Sequence, residues 1–191
     1  TITNETSVGT YDNTISIEYT KNDNYEVTLE KGTCSIVNPT IDMSQLIFDD
    51  KTYTYDGLLH TLSVENLPAN VKVEYLVDGI EFTGTKNSGT YIVTAKFTVT
   101  NDNYVLSIDS LNATLQINKR SITLKPNDIE VVYGDTPKTN GYQITSGEIL
   151  SNDLESLNIK VVIDSTITNE TSVGTYENTI SIEYTKNDNY D

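Results

Sequence analysis

SGTYIVTAKFTVTNDNY, residues 88–104, is the stretch whose reading decides the fold. Tyr91, Val93, Ala95, Phe97 and Val99 occupy alternate positions, with Ile92, Thr94, Lys96 and Thr98 between them. A period of two over this length is the pattern of a half-buried β-strand, because successive side chains point to opposite faces of a pleated sheet. Gly89 opens the run and Asn101-Asp102-Asn103 closes it. Asn and Asp close strands because they hydrogen-bond their own backbone and tolerate left-handed turns.

The same grammar occurs three times. Gly9-Thr10-Tyr11 and Gly174-Thr175-Tyr176 match Gly89-Thr90-Tyr91, and Asn22–Tyr25 and Asn187–Tyr190 match Asn101–Tyr104. The two outer copies are nearly identical: Thr1–Tyr25 returns as Thr166–Tyr190 with Asp12 replaced by Glu177. The glycines lie 80 and 85 residues apart, so a module of about 80 residues alternates between two versions to give a 165-residue period. The predicted organisation is residues 1–38 as the C-terminal part of one module, 39–119 as a complete module, and 120–191 as a module lacking its last strand. That last strand should resemble Glu26–Val37, and the chain reads as an internal fragment of a longer array. The junctions near Asn38–Thr40 and Asn118–Ser121 are short and not rich in Gly or Ser, which restricts bending and predicts a semi-rigid rod.

Alternation predicts further strands at Thr14–Tyr19, His60–Val64, Val71–Val77, Asn112–Ile117, Ser121–Lys125, Ile129–Tyr133 and Asn158–Ile163. Gly147–Leu157 has helical spacing of Ile149, Leu150, Leu154 and Leu157, with Asn152 or Asp153 as cap, and predicts a turn or two of helix. Richness in Thr, Ile, Val and Tyr with little Ala favours strands over helices. The expected fold is all-β, as tandem immunoglobulin-like β-sandwich modules, with a β-grasp-like module carrying the short helix near Gly147–Leu157 as the alternative.

With 12 basic and 28 acidic residues the formal net charge is −16. Such a surface repels nucleic acid and anionic lipid, both polyanions. No apolar run approaches the roughly 20 residues that span a bilayer, and no signal peptide or sorting motif is visible. No nucleic acid partner and no membrane insertion are expected. Cys34 is the single cysteine, which excludes an intrachain disulfide framework.

Tyr11, Tyr91 and Tyr176 sit where sandwich folds place a tyrosine whose ring caps the core and whose hydroxyl bonds back to nearby backbone. Gly9, Gly89 and Gly174 permit the turn before each. Tyr25 and Tyr104 are expected to return to the core from hairpin loops, and Tyr190 at the matching place is expected to be structural. Asp23 and Asp102 in those loops are the calcium candidates, although calcium needs six to eight convergent oxygens and each loop offers one Asp. Cys34 reads as a buried thiol and His60 as a solvated side chain after a turn. Two N/S ligands do not fill a zinc site, and no nucleophile–base pair or phosphate-binding loop stands out, so no catalytic residue, no enzymatic activity and no cofactor are expected. Asn4, Asn112 and Asn169 fit the glycosylation pattern. Lys and Asn are both present for isopeptide cross-links, but the sequence places no pair.

Residues 131–191 resemble the MBG modules of bacterial surface proteins through Tyr133-Gly134-Asp135, Ser146-Gly147, Asp153, Gly174-Thr175-Tyr176 and Asn189-Tyr190. The central module is similar to the version with a Tyr-Asp-Gly opening, through Tyr55-Asp56-Gly57, Leu67-Pro68, Tyr75, Gly89-Thr90-Tyr91 and Asn103-Tyr104. The resemblance implies tandem arrays in large secreted or wall-attached adhesin-like proteins, extracellular and on the cell surface, and supplies no catalytic residues. The expected function is a stalk or fibre spacer, with neighbouring copies of the repeat as partners and strand donation between copies as a route to self-assembly. The alternative is a module that itself binds a host or community surface glycan or protein, which requires an exposed aromatic or apolar patch.

Overall fold

The computed structural model describes all 191 residues. Thirteen strands and one helical turn form in the order β1 (Gly9–Ile15), β2 (Gly32–Ile36), β3 (Thr40–Ile41), β4 (Lys51–Thr54), β5 (Val71–Val77), β6 (Ile80–Glu81), β7 (Gly89–Val99), β8 (Val105–Leu106), β9 (Ser110–Asn118), β10 (Thr123–Pro126), β11 (Tyr142–Ser146), α1 (Leu154–Leu157), β12 (Lys160–Ile163) and β13 (Ile180–Glu183). The fold is mostly β with several small sheets. One five-stranded sheet has the order β4-β9-β7-β5-β6, and four two-stranded sheets pair β1-β2, β3-β8, β10-β11 and β12-β13. No helix is long and apolar enough to cross a membrane.

By spatial contact the chain divides into two compact units, and the division falls within β7 and β9. The first comprises Thr1–Phe48, Ser63–Glu81 and Thr94–Asn112. Its core is Met43, Val71, Ala95 and Phe97, with Ile41 of β3, Leu106 of β8, Leu46, Phe48, Val73 and Tyr75 packed against it. The β5–β7 register sets Val71 opposite Val99, Val73 opposite Phe97 and Tyr75 opposite Ala95, which turns the apolar positions of both strands to one face. The Tyr75 hydroxyl accepts the Val64 N–H at 2.8 Å, so this half-buried phenol keeps a polar partner.

The second unit comprises Asp49–Leu62, Phe82–Val93 and Ala113–Asp191. Val93, Leu115, Ile117, Leu62 and Leu157 are its most deeply buried apolar side chains. β4 runs parallel to β9, pairing Lys51 with Leu115 and Thr54 with Asn118. The helix is one turn. Asn158 ends it with φ 44°, in the left-handed region that asparagine tolerates.

Repeat positions pair in matching register. In β5–β7, Lys72, Val73, Glu74 and Tyr75 face Thr98, Phe97, Lys96 and Ala95. In β12–β13, Lys160, Val161, Val162 and Ile163 face Glu183, Ile182, Ser181 and Ile180, the aligned residues. β1–β2 pairs Thr10 with Ser35 and Tyr11 with Cys34. The counterpart of the first pair across β7 and β9 is Thr90 with Gln116, whose side chains hydrogen-bond.

Several expected strands differ. Ser16–Tyr19 is not a strand, and Ile15, Ile17 and Tyr19 are all exposed, whereas Ile180–Glu183, identical in sequence to Ile15–Glu18, is β13. The later copy has β12 to pair with, and no counterpart of β12 precedes the earlier copy within the 191 residues. His60–Val64 supplies only the bridge His60–Thr85, and Ile129–Tyr133 forms no strand.

Candidate functional site

The most elaborate polar arrangement lies in the second unit, around Asp153. The residue sits at the N-terminus of α1, yet its side chain makes no cap hydrogen bond. Its Oδ2 instead accepts two phenols, Tyr55 at 2.9 Å and Tyr190 at 2.8 Å. The rings meet edge to face with centroids 5.6 Å apart, an arrangement that places a positive ring edge on a negative face. Both rings are buried, Tyr55 6% and Tyr190 7% exposed. The Tyr190 oxygen also accepts the Leu150 N–H at 3.0 Å.

Arg120 ties the same place together. Its Nε donates to the Tyr55 carbonyl at 2.9 Å, and its guanidinium pairs with Glu148. Its backbone N–H donates to Asn189 O and its carbonyl accepts the Asp191 N–H, which holds the Asn187–Tyr190 loop beside it in a parallel bridge. Ser88, one residue before Gly89, donates its N–H to Asn189 Oδ1 and its hydroxyl to Asp188 O, both at 2.7 Å. The Tyr-Asp-Gly turn, the strand opening at Ser88 and the Asn-Asp-Asn-Tyr loop thus converge through main-chain and charged contacts.

Burial, and then the hydrogen bond to the Asp153 carboxylate, raises the Tyr55 phenol above its ordinary value. Burial first, with Asp153 adding to it, pushes Tyr190 up to about 12. Both phenols stay protonated at neutral pH and act as donors. The cluster is chemically a clamp: a fixed acceptor, two donors, and an arginine paired with Glu148.

Tyr11, Tyr91 and Tyr176 share one geometry. Each hydroxyl donates to the carbonyl four residues upstream: Ser7 at 2.8 Å, Asn87 at 3.2 Å and Ser172 at 2.8 Å. Each ring folds back over the glycine two residues before it, and a Cβ built on Gly89 would lie 3.0–3.2 Å from the Tyr91 ring. Tyr176 remains 45% exposed.

The three Asn-Asp-Asn-Tyr loops are also alike. The first asparagine accepts the N–H of the third residue through its side chain at 2.9–3.0 Å, and the tyrosine N–H through its carbonyl at 3.0–3.1 Å. Their tyrosines diverge. Tyr190 is buried, Tyr104 is half-buried and Tyr25 is 71% exposed, so Tyr25 does not return to a core. Tyr190 has Arg120, Leu150 and Asp153 around it, and the 191 residues hold no such set for Tyr25.

Asp23 pairs with Lys21 at 3.2 Å and Asp102 is exposed; neither is gathered with other ligands, and no group of three or more His, Cys, Asp or Glu side chains converges anywhere. His60 is not solvated. Its side chain is 11% exposed, stacked on Tyr53 with centroids 4.0 Å apart, and Nε2 lies 2.9 Å from Asp56 Oδ1. The Leu58 N–H, followed by His60, holds the Asp56 carboxyl below its usual range. Cys34 is only half-buried, because β2 has one neighbouring strand where the aligned Leu115 has two.

Sequence reasoning places Tyr190 among structural residues but assigns Asp153 to a cap and overlooks Arg120. The recurrent Tyr-Asp-Gly and Asn-Tyr motifs are the signal that points to the cluster, without showing that the two tyrosines meet. Set against known protein families, curated proteins and solved structures, the chain matches none.

Proposed function

We propose that this chain is a stretch of the stalk of a large bacterial cell-surface, adhesin-like protein built from MBG-type tandem modules. It acts as a semi-rigid extracellular spacer in a wall-attached or secreted fibre, with no catalytic role. The observation that supports this reading is the register. Three copies of one motif occur at regular spacing, and aligned residues of different copies pair in the same strand ladders. A single folded enzyme has no need of such recurrence, whereas an array lengthened by duplication produces it. The pieces 1–38, 39–119 and 120–191 are then successive modules, and the Asp153–Arg120 clamp fixes the step from one to the next. The central module reads as a lopsided sandwich, with the five-stranded sheet as one layer and the β3–β8 pair over the apolar face of β5 and β7.

Chains carrying one, two and three copies of the 165-residue unit test this by small-angle scattering. The maximum dimension is expected to rise by a constant increment per copy. A radius that grows as for a flexible coil overturns the spacer reading. Retention of the single-copy chain on a glycan array favours the alternative, a glycan- or protein-binding module.

A further inference from the structure

Asparagine followed by glycine occurs once in the chain, at Asn140-Gly141. The main-chain nitrogen after an asparagine lies one five-membered ring away from that asparagine's amide carbon, and a side chain on the following residue hinders its approach. Glycine has no Cβ and leaves the nitrogen open and the backbone free to turn. Both residues are exposed, just before β11. The Gly141 N–H donates to no acceptor, and the Asn140 side chain makes no hydrogen bond. A Cβ built on Gly141 would meet only Asn127 Nδ2, at 3.8 Å.

The asparagines followed by other small residues lack this freedom. After Asn87, the Ser88 N–H is held by Asn189 Oδ1 at 2.7 Å. Asn112 Oδ1 accepts the Thr94 hydroxyl at 2.7 Å, and the following Ala113 is buried in β9. Asn140 also has a structural task. Its carbonyl accepts Asn127 Nδ2 at 2.6 Å, and the Gly141 carbonyl accepts the Asn127 N–H at 3.0 Å. These two bonds close the β10–β11 ladder immediately beyond its Pro126–Tyr142 pair.

We propose that Asn140 is a self-processing site, which converts to aspartate and isoaspartate and thereby loosens the Asn127 end of the β10–β11 hairpin. The deprotonated Gly141 nitrogen attacks Asn140 Cγ. A Cγ–N bond forms, the Cγ–Nδ2 bond breaks, and Nδ2 leaves as ammonia after taking up a proton. Water then opens the resulting succinimide ring at either carbonyl. Opening at Cγ restores the ordinary main chain with Asp at 140. Opening at the Asn140 main-chain carbonyl leaves isoaspartate, in which the chain runs through Cβ and Cγ. The net change is one water consumed and one ammonia released, with no oxidation or reduction. In the isoaspartate form the main chain is one carbon longer, and the carbonyl that held Asn127 Nδ2 has become a free carboxylate. Asn127 therefore loses the spacing that its two bonds require.

The test is ageing of the full chain in neutral and mildly alkaline buffer, followed by peptide mapping. The peptide carrying Asn140 should gain about 1 Da, the exchange of NH2 for OH. It should do so at least tenfold faster than the peptides carrying Asn87 or Asn112, and faster in the alkaline buffer, where more of the nitrogen is deprotonated. The rate should stay within threefold of that of a synthetic peptide of residues 136–145. Asn140→Gln, which must close a larger ring, should abolish the gain at this place without altering Gly141. Conversion no faster than at Asn87, or at least tenfold slower than in the synthetic peptide, overturns the site. Hydrogen exchange then reads the consequence. The Asn127 amide should exchange at least fivefold faster in the separated isoaspartate form, and at the parent rate in Asn140→Asp, which adds the charge without the extra carbon. Unchanged exchange in the isoaspartate form overturns the loosening, and equal acceleration in Asn140→Asp overturns its assignment to the lengthened chain.

Discussion

Asp153 shows how a residue's type can be read correctly and its task misplaced. An Asp before Leu154 looks like a cap, since short acidic side chains satisfy free N–H groups at helix starts. Here the carboxylate turns away to two buried phenols, which have no other charged acceptor. Asp153→Ala is expected to destabilise the protein by about 3 kcal/mol, because hydrogen bonds to a charged group contribute about 1.5–3 kcal/mol each and two donors are stranded. Tyr190→Phe should cost about 1–3 kcal/mol, since it also leaves the Leu150 N–H without an acceptor. Urea titrations of each variant and of the double mutant measure both effects, and additivity would mean that the two residues are not coupled. The phenols also set an alkaline limit. A phenol whose folded pKa exceeds its unfolded value stabilises the fold fully below the unfolded pKa. That stabilisation is lost as pH rises from about 10 through about 12. Thermal melts should fall over this window in the parent and fall less steeply in Tyr190→Phe.

At the scale of elements, the alternation of residues 89–99 was legible because β7 lies inside the sheet between β9 and β5; Val93, Ala95 and Phe97 are 0–3% exposed. Period two reports what a strand is able to do, and pairing decides whether it does so. Ile17 and Ile182 occupy the same sequence context, but only Ile182 has β12 opposite it. His60 escaped for another reason: its burial depends on Tyr53 and Asp56, brought to it by a turn whose shape single residues do not announce. Partner number makes a quantitative prediction. Leu115→Ala, between two strands and fully buried, should cost about 2–5 kcal/mol. Cys34→Ala, at the aligned place with one neighbour, should cost less than about 1 kcal/mol. Similar losses in denaturant titrations would show that β2 already has a second neighbour. Gly89→Ala should destabilise by about 1 kcal/mol, because the added methyl presses on the Tyr91 ring.

For the molecule as a whole, the direction of the outermost strands has a consequence under load. β4, early in the central module, runs parallel to β9, its last strand, and β3 runs parallel to β8. On the proposed stalk reading, a pull along the array would draw β4 by its N-terminal end and β9 by its C-terminal end. Parallel neighbours pulled in this way slide along each other, so the bonds of the ladder are stressed together; an antiparallel hairpin pulled from its open end would unzip bond by bond. On that reading the parallel β4–β9 pair would be loaded in shear. Single-molecule extension should find that Thr52→Pro, which removes one N–H from the β4 edge, lowers the rupture force of this module far more than Ile80→Pro in β6 at the opposite edge. If the proposed stalk reading holds, an array of such links is expected to yield by abrupt, discrete ruptures rather than by gradual stretching.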